Sequence, residues 1–176
     1  MTSRSLVLSR AHLADALTGS RFVFAVLAIP LVSSGAWRAS SLVVVLAWWT
    51  DFFDGRVARS TTGTRLGEWD PYADTAVGAG VVIGLAAGGH VLPVPWLVVT
   101  GGFVLAYLVG GNFAFGQIAQ ALGYGPLLWF ATRADLVAIS VLVGTIVVIA
   151  IFDARRFVSV TLPTFFEGVG LRKRSG

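Results

Sequence analysis

The chain contains no cysteine and a single lysine, and its two histidines, His12 and His90, stand far apart. The first absence excludes disulfides, thiolate catalysis and Cys-ligated zinc. The isolated histidines leave little room for a His-based metal site. Charge is scarce as well. Only 12% of the 176 residues are Asp, Glu, Lys or Arg, about half the quarter usual in a soluble domain. What fills the space is apolar: 56% hydrophobic residues and a mean hydropathy of +0.80. That balance describes an integral membrane protein. The net charge of +4 comes from 13 bases against nine acids, and 12 of the bases are Arg scattered between apolar runs. Such a distribution suits headgroup contacts and membrane topology. Nucleic-acid binding calls for a continuous basic face, so no nucleic-acid partner is expected.

A spanning helix takes about 20 mostly apolar residues. Five stretches qualify: Leu17 to Val32, Ser40 to Phe53, Tyr72 to Val91, Val94 to Phe115, and Leu136 to Phe152. A sixth, residues 116–133, is apolar enough but interrupted by Gly123, Gly125 and Pro126. The expected architecture is an all-α, polytopic membrane helix bundle of six transmembrane helices, five clear and one weak, forming a single domain over residues 1–176. The first stretch also has the length of a signal peptide, but it serves equally well as a first span. Basic residues cluster before the first span (Arg4, Arg10), after the second (Arg56, Arg59, Arg65) and after the last (Arg155, Arg156, Arg172, Lys173, Arg174). An even number of spans puts all three clusters in the cytoplasm, with Arg38 and Arg133 outside or at a boundary.

Five of the nine acids fall in one window, Asp51 to Asp74, between two apolar runs. Carboxylates near a bilayer are costly and usually functional. Asp51 and Asp54 are three apart at the end of the second helix; Asp70 and Asp74 are four apart at the start of the third. Each spacing puts both residues on one helix face. A hairpin of these helices brings the pairs together, and four converging carboxylates stay ionised only with cations between them. Oxygen-only ligation suits Mg²⁺, Mn²⁺ or Ca²⁺, and a two-metal arrangement would fit a phosphate-bearing substrate. Gly55 allows a ligand close to the backbone, Gly67 opens space beside Asp70, and Arg59 lies one helical turn beyond Gly55.

The stretch "DFFDGRVAR…G…DPYAD" resembles the signature of the CDP-alcohol phosphatidyltransferases, D-x-x-D-G-x-x-A-R followed by G-x-x-x-D-x-x-x-D. Asp51, Asp54, Gly55, Ala58 and Arg59 match the first half in order and spacing, and Asp70 and Asp74 match the last two acids. "LTGSR", residues 17–21, resembles the L-T-x-x-R found near the start of helix one in many members. The chain departs from the pattern at Gly67, which is separated from Asp70 by two residues where the family has three.

The resemblance implies transfer of a phosphatidyl group from CDP-diacylglycerol to a small hydroxyl acceptor, with release of CMP, in phospholipid synthesis. It implies Asp51, Asp54, Asp70 and Asp74 as ligands of Mg²⁺ or Mn²⁺, two ions in all, and Asp74 also as the general base. Gly55, Ala58, Arg59 and Gly67 would contact the CDP moiety. "DPYAD" and "LTGSR" are similar to the phosphatidylglycerophosphate synthases, so the acceptor reading leans to glycerol 3-phosphate. Arg21, Arg65 and Arg133 are candidates for an acceptor phosphate by charge alone, although Arg21 reads equally as a residue snorkelling to the interface. The expected location is the plasma (inner) membrane with the site facing the cytoplasm. Two other readings stand beside this one: an inactive family relative, and a cation-binding or transport protein using the same acids. Gly80, Gly84 and Gly88, and Gly102, Ala106 and Gly110, form small-residue stripes. They serve either packing within the protomer or a homodimer seam.

Overall fold

The structure, a computed structural model, describes residues 3–60, 64–90 and 92–170, with side chains from Arg10 onward. It is all-helical among these residues. Six long helices follow one another: α1 (Ser3–Ser33), α2 (Trp37–Ala58), α3 (Asp70–Ala87), α4 (Val94–Gly110), α5 (Phe113–Ala134) and α6 (Leu136–Arg156). A π turn (Phe157–Thr161) continues α6 into a short α7 (Leu162–Gly168). The chain is an all-α membrane helix bundle. Arg10–Ser33 and Leu136–Gly168 are each long and apolar enough to cross a bilayer, and Val94–Gly110 is a shorter apolar helix. Large apolar side chains such as Val26, Val109, Leu136 and Ile151 stand on the outer surface, where a bilayer would solvate them.

The interrupted sixth stretch is a helix. Phe113–Ala134 runs unbroken through Gly123, Gly125 and Pro126. Its glycines act as packing positions: a Cβ on Gly123 would come within 3.0 Å of Gly78 Cα on α3. Close neighbours compensate for a helix-breaking residue inside a membrane bundle, and Pro126 is itself buried. The fourth stretch ends earlier than expected. Gly111, at φ +61°, closes α4 in the left-handed conformation open to glycine. Asn112 then caps α5, its side chain accepting from the Ala114 amide and donating to the Gly168 carbonyl. The third helix runs from Asp70 to Ala87, and Val91 lies outside the described residues.

The core sits where α1, α2, α3, α5 and α6 meet, with Val32, Val44, Val77, Val81, Leu85, Leu127 and Leu142 fully enclosed. The first helix belongs to this bundle, packed against α2 and α3. Its contact with α3 uses one of the small-residue stripes. A Cβ on Gly80 would lie 2.3 Å from the Ala25 carbonyl oxygen, and one on Gly88 would lie 2.4 Å from the Ser33 carbonyl oxygen. The α3 stripe is therefore spent inside the protomer, and a homodimer seam through it is excluded. On α4 the space around Gly102 and Gly110 is open.

The alternating helices sort the chain into two ends. One carries the C-terminus of α2, the N-terminus of α3 and the C-terminus of α6, with Arg10, Arg56, Arg59, Arg65, Arg155 and Arg156. The other carries Arg38 and Arg133. Arg172, Lys173 and Arg174 lie outside the described residues, as does the side chain of Arg4. At this second end Trp37, His90 and Phe130 form an aromatic cluster, and Arg38 pairs with Asp135 at 2.6 Å. Asp135 also caps α6 by accepting from the Val137 and Ala138 amides. Desolvation of its carboxyl is outweighed by the Ala138 amide, Arg38 and the Val137 amide together, which hold it below the usual carboxylate range.

Candidate active site

Asp51 and Asp54 occupy the last two turns of α2, one turn apart. After a short connection, a 3₁₀ turn (Gly67–Trp69) delivers the chain into α3, where Asp70 and Asp74 share the first turns and Pro71 stands at the helix start. The connection is fastened to α1: the Asp15 carboxylate accepts from the backbone amides of Arg65 (3.0 Å) and Leu66 (2.9 Å). Residues 61–63 lie outside the described residues.

The two acidic pairs meet, although α2 and α3 touch each other little: both pack on α1, which brings their ends together. Asp51, Asp54 and Asp70 each offer a carboxylate oxygen within 4.8 Å of the others. What joins them is Arg21 of α1, whose side chain is wholly buried. Its Nη1 donates to Asp51 Oδ1 at 3.1 Å and to Asp74 Oδ1 at 2.5 Å. Its Nη2 donates to Asp54 Oδ2 and to Asp70 Oδ1. Thr18, one turn earlier and also buried, donates from its hydroxyl to Asp54 Oδ2 at 3.1 Å. The L-T-x-x-R stretch thus presents a hydroxyl and a guanidinium from one helix face to the same carboxylate. The snorkelling reading of Arg21 is overturned: its head group points into the acids, not to the interface.

Burial varies across the set. Asp54 is enclosed, whereas the Asp51 side chain is 47% exposed and that of Asp70 is 37% exposed. Asp74 is nearer the interior, with the Tyr124 hydroxyl of α5 donating to its backbone carbonyl at 3.3 Å. Tyr124 is in turn braced edge-on by Trp48.

Three of the four residues matched to the CDP contact share a recess. Gly55, Ala58 and Gly67 line it together with Asp54, Asp70, Asp15 and Thr18, and its volume is about 70 Å³. Gly67 opens the 3₁₀ turn and faces Thr64: an added Cβ would lie 2.9 Å from the Thr64 hydroxyl. Arg59 caps the end of α2, and its Nη1 lies 3.4 Å from where a Gly55 Cβ would stand. Arg156 of α6 approaches the same point, at 3.9 Å. Arg156 and Arg56 both reach Asp153, at 3.6 and 3.5 Å. Arg65 is exposed on the connection. Arg133 lies over the Trp129 ring at the opposite end of the bundle, so it is removed from the candidates for an acceptor phosphate.

If all four carboxylates ionise, one guanidinium balances only one of their charges at the edge of an apolar bundle. Burial of that excess calls for further cations. The donor set is carboxylate oxygen only, which matches hard divalent ions such as Mg²⁺ or Mn²⁺. The residues therefore fit a divalent metal.

The model of the CDP-alcohol phosphatidyltransferase family matches residues 11–165, nearly the whole chain. The chain belongs to this family. Its members are membrane phosphotransferases that act on CDP-alcohol donors and alcohol acceptors in phospholipid biosynthesis, and they generally use divalent metals. Membership carries transfer of a phosphatidyl group from a CDP-alcohol to an acceptor. Comparison with curated proteins and with solved structures gave no match.

Thr18, Asp15, Arg156 and the full role of Arg21 were not legible as site residues in the sequence. The single available signal was the L-T-x-x-R stretch, whose spacing of three between Thr18 and Arg21 aligns both on one helix face.

Proposed function

We propose that this phosphatidyltransferase moves the phosphatidyl group of CDP-diacylglycerol onto the hydroxyl of a small alcohol, with glycerol 3-phosphate as the favoured acceptor, and releases CMP. The observation that carries the reading is the meeting of four carboxylates from α2 and α3 on Arg21, beside a recess lined by Gly55, Ala58 and Gly67. At about 70 Å³ that recess is far below the roughly 300 Å³ of a small-molecule pocket. The donor would lie across the open end of the bundle, with the two glycines and Ala58 admitting its CDP part close to the backbone. Arg59 and Arg156, flanking Gly55, would hold diphosphate oxygens. An apolar groove of about 390 Å³ between α2 and α6, lined by Trp48, Ile146, Ile149 and Phe157 with Asp153 among them, suits an acyl chain that remains in the bilayer.

Asp51, Asp54 and Asp70 would hold the divalent ions, with Asp74 as a further ligand. A bound divalent cation would neutralise the diphosphate and the charge on departing CMP. The acceptor oxygen attacks the phosphatidyl phosphorus, the bond from that phosphorus to the oxygen bridging to CMP breaks, and CMP leaves with that oxygen. Asp74 takes the hydroxyl proton. Its position toward the interior sets it apart from the more exposed Asp51. The excess of Arg at the site end supports a cytoplasmic orientation, in the plasma membrane. The open α4 stripe leaves a homodimer on that helix as a use for Gly102, Ala106 and Gly110. A transport role for the acids finds less support, because they lie at helix ends on one side rather than along a path through the bundle.

The test is CMP release from CDP-diacylglycerol by purified protein with Mg²⁺ or Mn²⁺ and separate acceptors: glycerol 3-phosphate, inositol, inositol phosphate and serine. The expected result is release with glycerol 3-phosphate well above the other three. Release with a different acceptor would keep the transferase reading and replace the acceptor. No release with any of them from folded protein would favour the inactive relative.

A further inference from the structure

We propose that Arg21 is the resident counter-cation of the carboxylate cluster, and that it exchanges with the divalent metal in a mutually exclusive way. The inference rests on the metal-binding reading given above and adds a role for a residue outside the four acids. Its basis is the overlap of two ligand sets. The guanidinium bonds Asp51, Asp54 and Asp70, the same three carboxylates that converge within 4.8 Å to offer a metal site. It also bonds Asp74 through the Oδ1 oxygen. One planar group therefore spans the whole set from the middle. A cation entering between these oxygens meets a positive charge already seated there, and like charges at such range repel strongly in a poorly solvated site.

Three further features favour exchange over a permanent structural bridge. Arg21 comes from α1, whereas all four acids come from α2 and α3, so the guanidinium can withdraw without displacing the acids. Its side chain is long and unbranched, with several rotatable bonds. Its Nε is buried with no acceptor among the described residues, so the bridged arrangement leaves one donor unsatisfied. In the absence of metal, the same guanidinium keeps four acids from repelling one another at the bilayer edge.

The test reads metal binding rather than turnover. Mn²⁺ binding to purified protein in detergent would be titrated by loss of the free-ion electron paramagnetic resonance signal, and melting temperature would be followed with and without Mn²⁺. Wild type is compared with Arg21→Met and Arg21→Lys. The metal-free Arg21→Met protein is expected to melt below wild type. It is also expected to bind Mn²⁺ about tenfold more tightly, within the range usual for coupled sites, and so to gain more in melting temperature from the ion. A merely structural arginine would produce the opposite: loss of the bridge would disorder the acids and weaken Mn²⁺ binding. Unchanged or weaker binding in Arg21→Met, beside normal binding in wild type, overturns the exchange and leaves the metal site intact. Absence of Mn²⁺ binding in wild type overturns the metal reading and this inference together. If Arg21→Met does not fold, Arg21→Lys decides. Lysine keeps the charge but is a point donor that cannot bridge four carboxylates, so tighter binding than wild type supports the exchange and weaker or equal binding overturns it.

Discussion

Exchange of Asp74 for asparagine is expected to lower CMP release by about 100-fold or more, the usual scale for loss of a positioned general base, while the protein stays folded. The amide keeps the shape of the side chain and can still meet Arg21, but it cannot take a proton from the acceptor hydroxyl. Because Asp74 is proposed as both ligand and base, the same variant should bind Mn²⁺ somewhat less tightly, through loss of one anionic ligand. The two effects differ in size. A variant that loses only a ligand should recover activity at high Mn²⁺; one that loses the base should not. The measurement is initial CMP release across a Mn²⁺ series, and rescue to near wild-type rate would remove Asp74 from the role of base.

The second large effect falls on the fold. Gly80→Ala is expected to destabilise the bundle by about 1–3 kcal/mol, the cost of overpacking a close contact. The added methyl would stand 2.3 Å from the Ala25 carbonyl oxygen, a backbone atom of α1 that cannot step aside as a side chain would. Helix propensity works the other way, favouring alanine over glycine by up to about 1 kcal/mol. The steric term wins because α1 and α3 would have to separate along their whole contact. The control is Gly102→Ala on α4, where nothing lies within 4 Å. There only propensity remains, and stability should hold or rise slightly. Thermal unfolding in detergent distinguishes the two. Equal melting temperatures for both variants would mean that α1 and α3 do not pack as closely as described. The effect also bears on the site, since the α1 to α3 contact holds Arg21 and Thr18 over the acids.

The parts of this site that could be read in the sequence were those written in local spacing. Asp51 with Asp54, and Asp70 with Asp74, fall one turn apart on helices whose ends are marked by the change from apolar to charged residues. Helix geometry puts each pair on one face, and the packing of both helices on α1 brings the pairs together. Gly55 and Ala58 are carried with them on α2. Arg21 could be named as a candidate by its charge, but its place among the acids was illegible for the opposite reason. A lone arginine in an apolar run has no local partner, and its role appears only when α1 packs across the hairpin and brings residues 30 to 53 positions away into contact. Asp15 likewise acts on a connection 50 residues distant. The fifth helix was obscured by its own packing devices. Gly123, Gly125 and Pro126 read as breaks under rules drawn from water-exposed helices, yet in this bundle they permit close approach to α3 and α4. The two stripes, similar as sequence, diverged because only the one on α3 faces another helix backbone.

The central claim is that the four carboxylates hold divalent metal for CMP release, and its most direct test is CMP release from CDP-diacylglycerol with a full acceptor mixture, before and after metal removal. Purified protein stripped with EDTA and exchanged into metal-free buffer should show no release above background. Addition of Mg²⁺ or Mn²⁺ should restore it, and Asp54→Asn, in the enclosed position between Thr18 and Arg21, should stay inactive at every metal concentration. Undiminished release from stripped protein, or equal release from Asp54→Asn, would contradict the account.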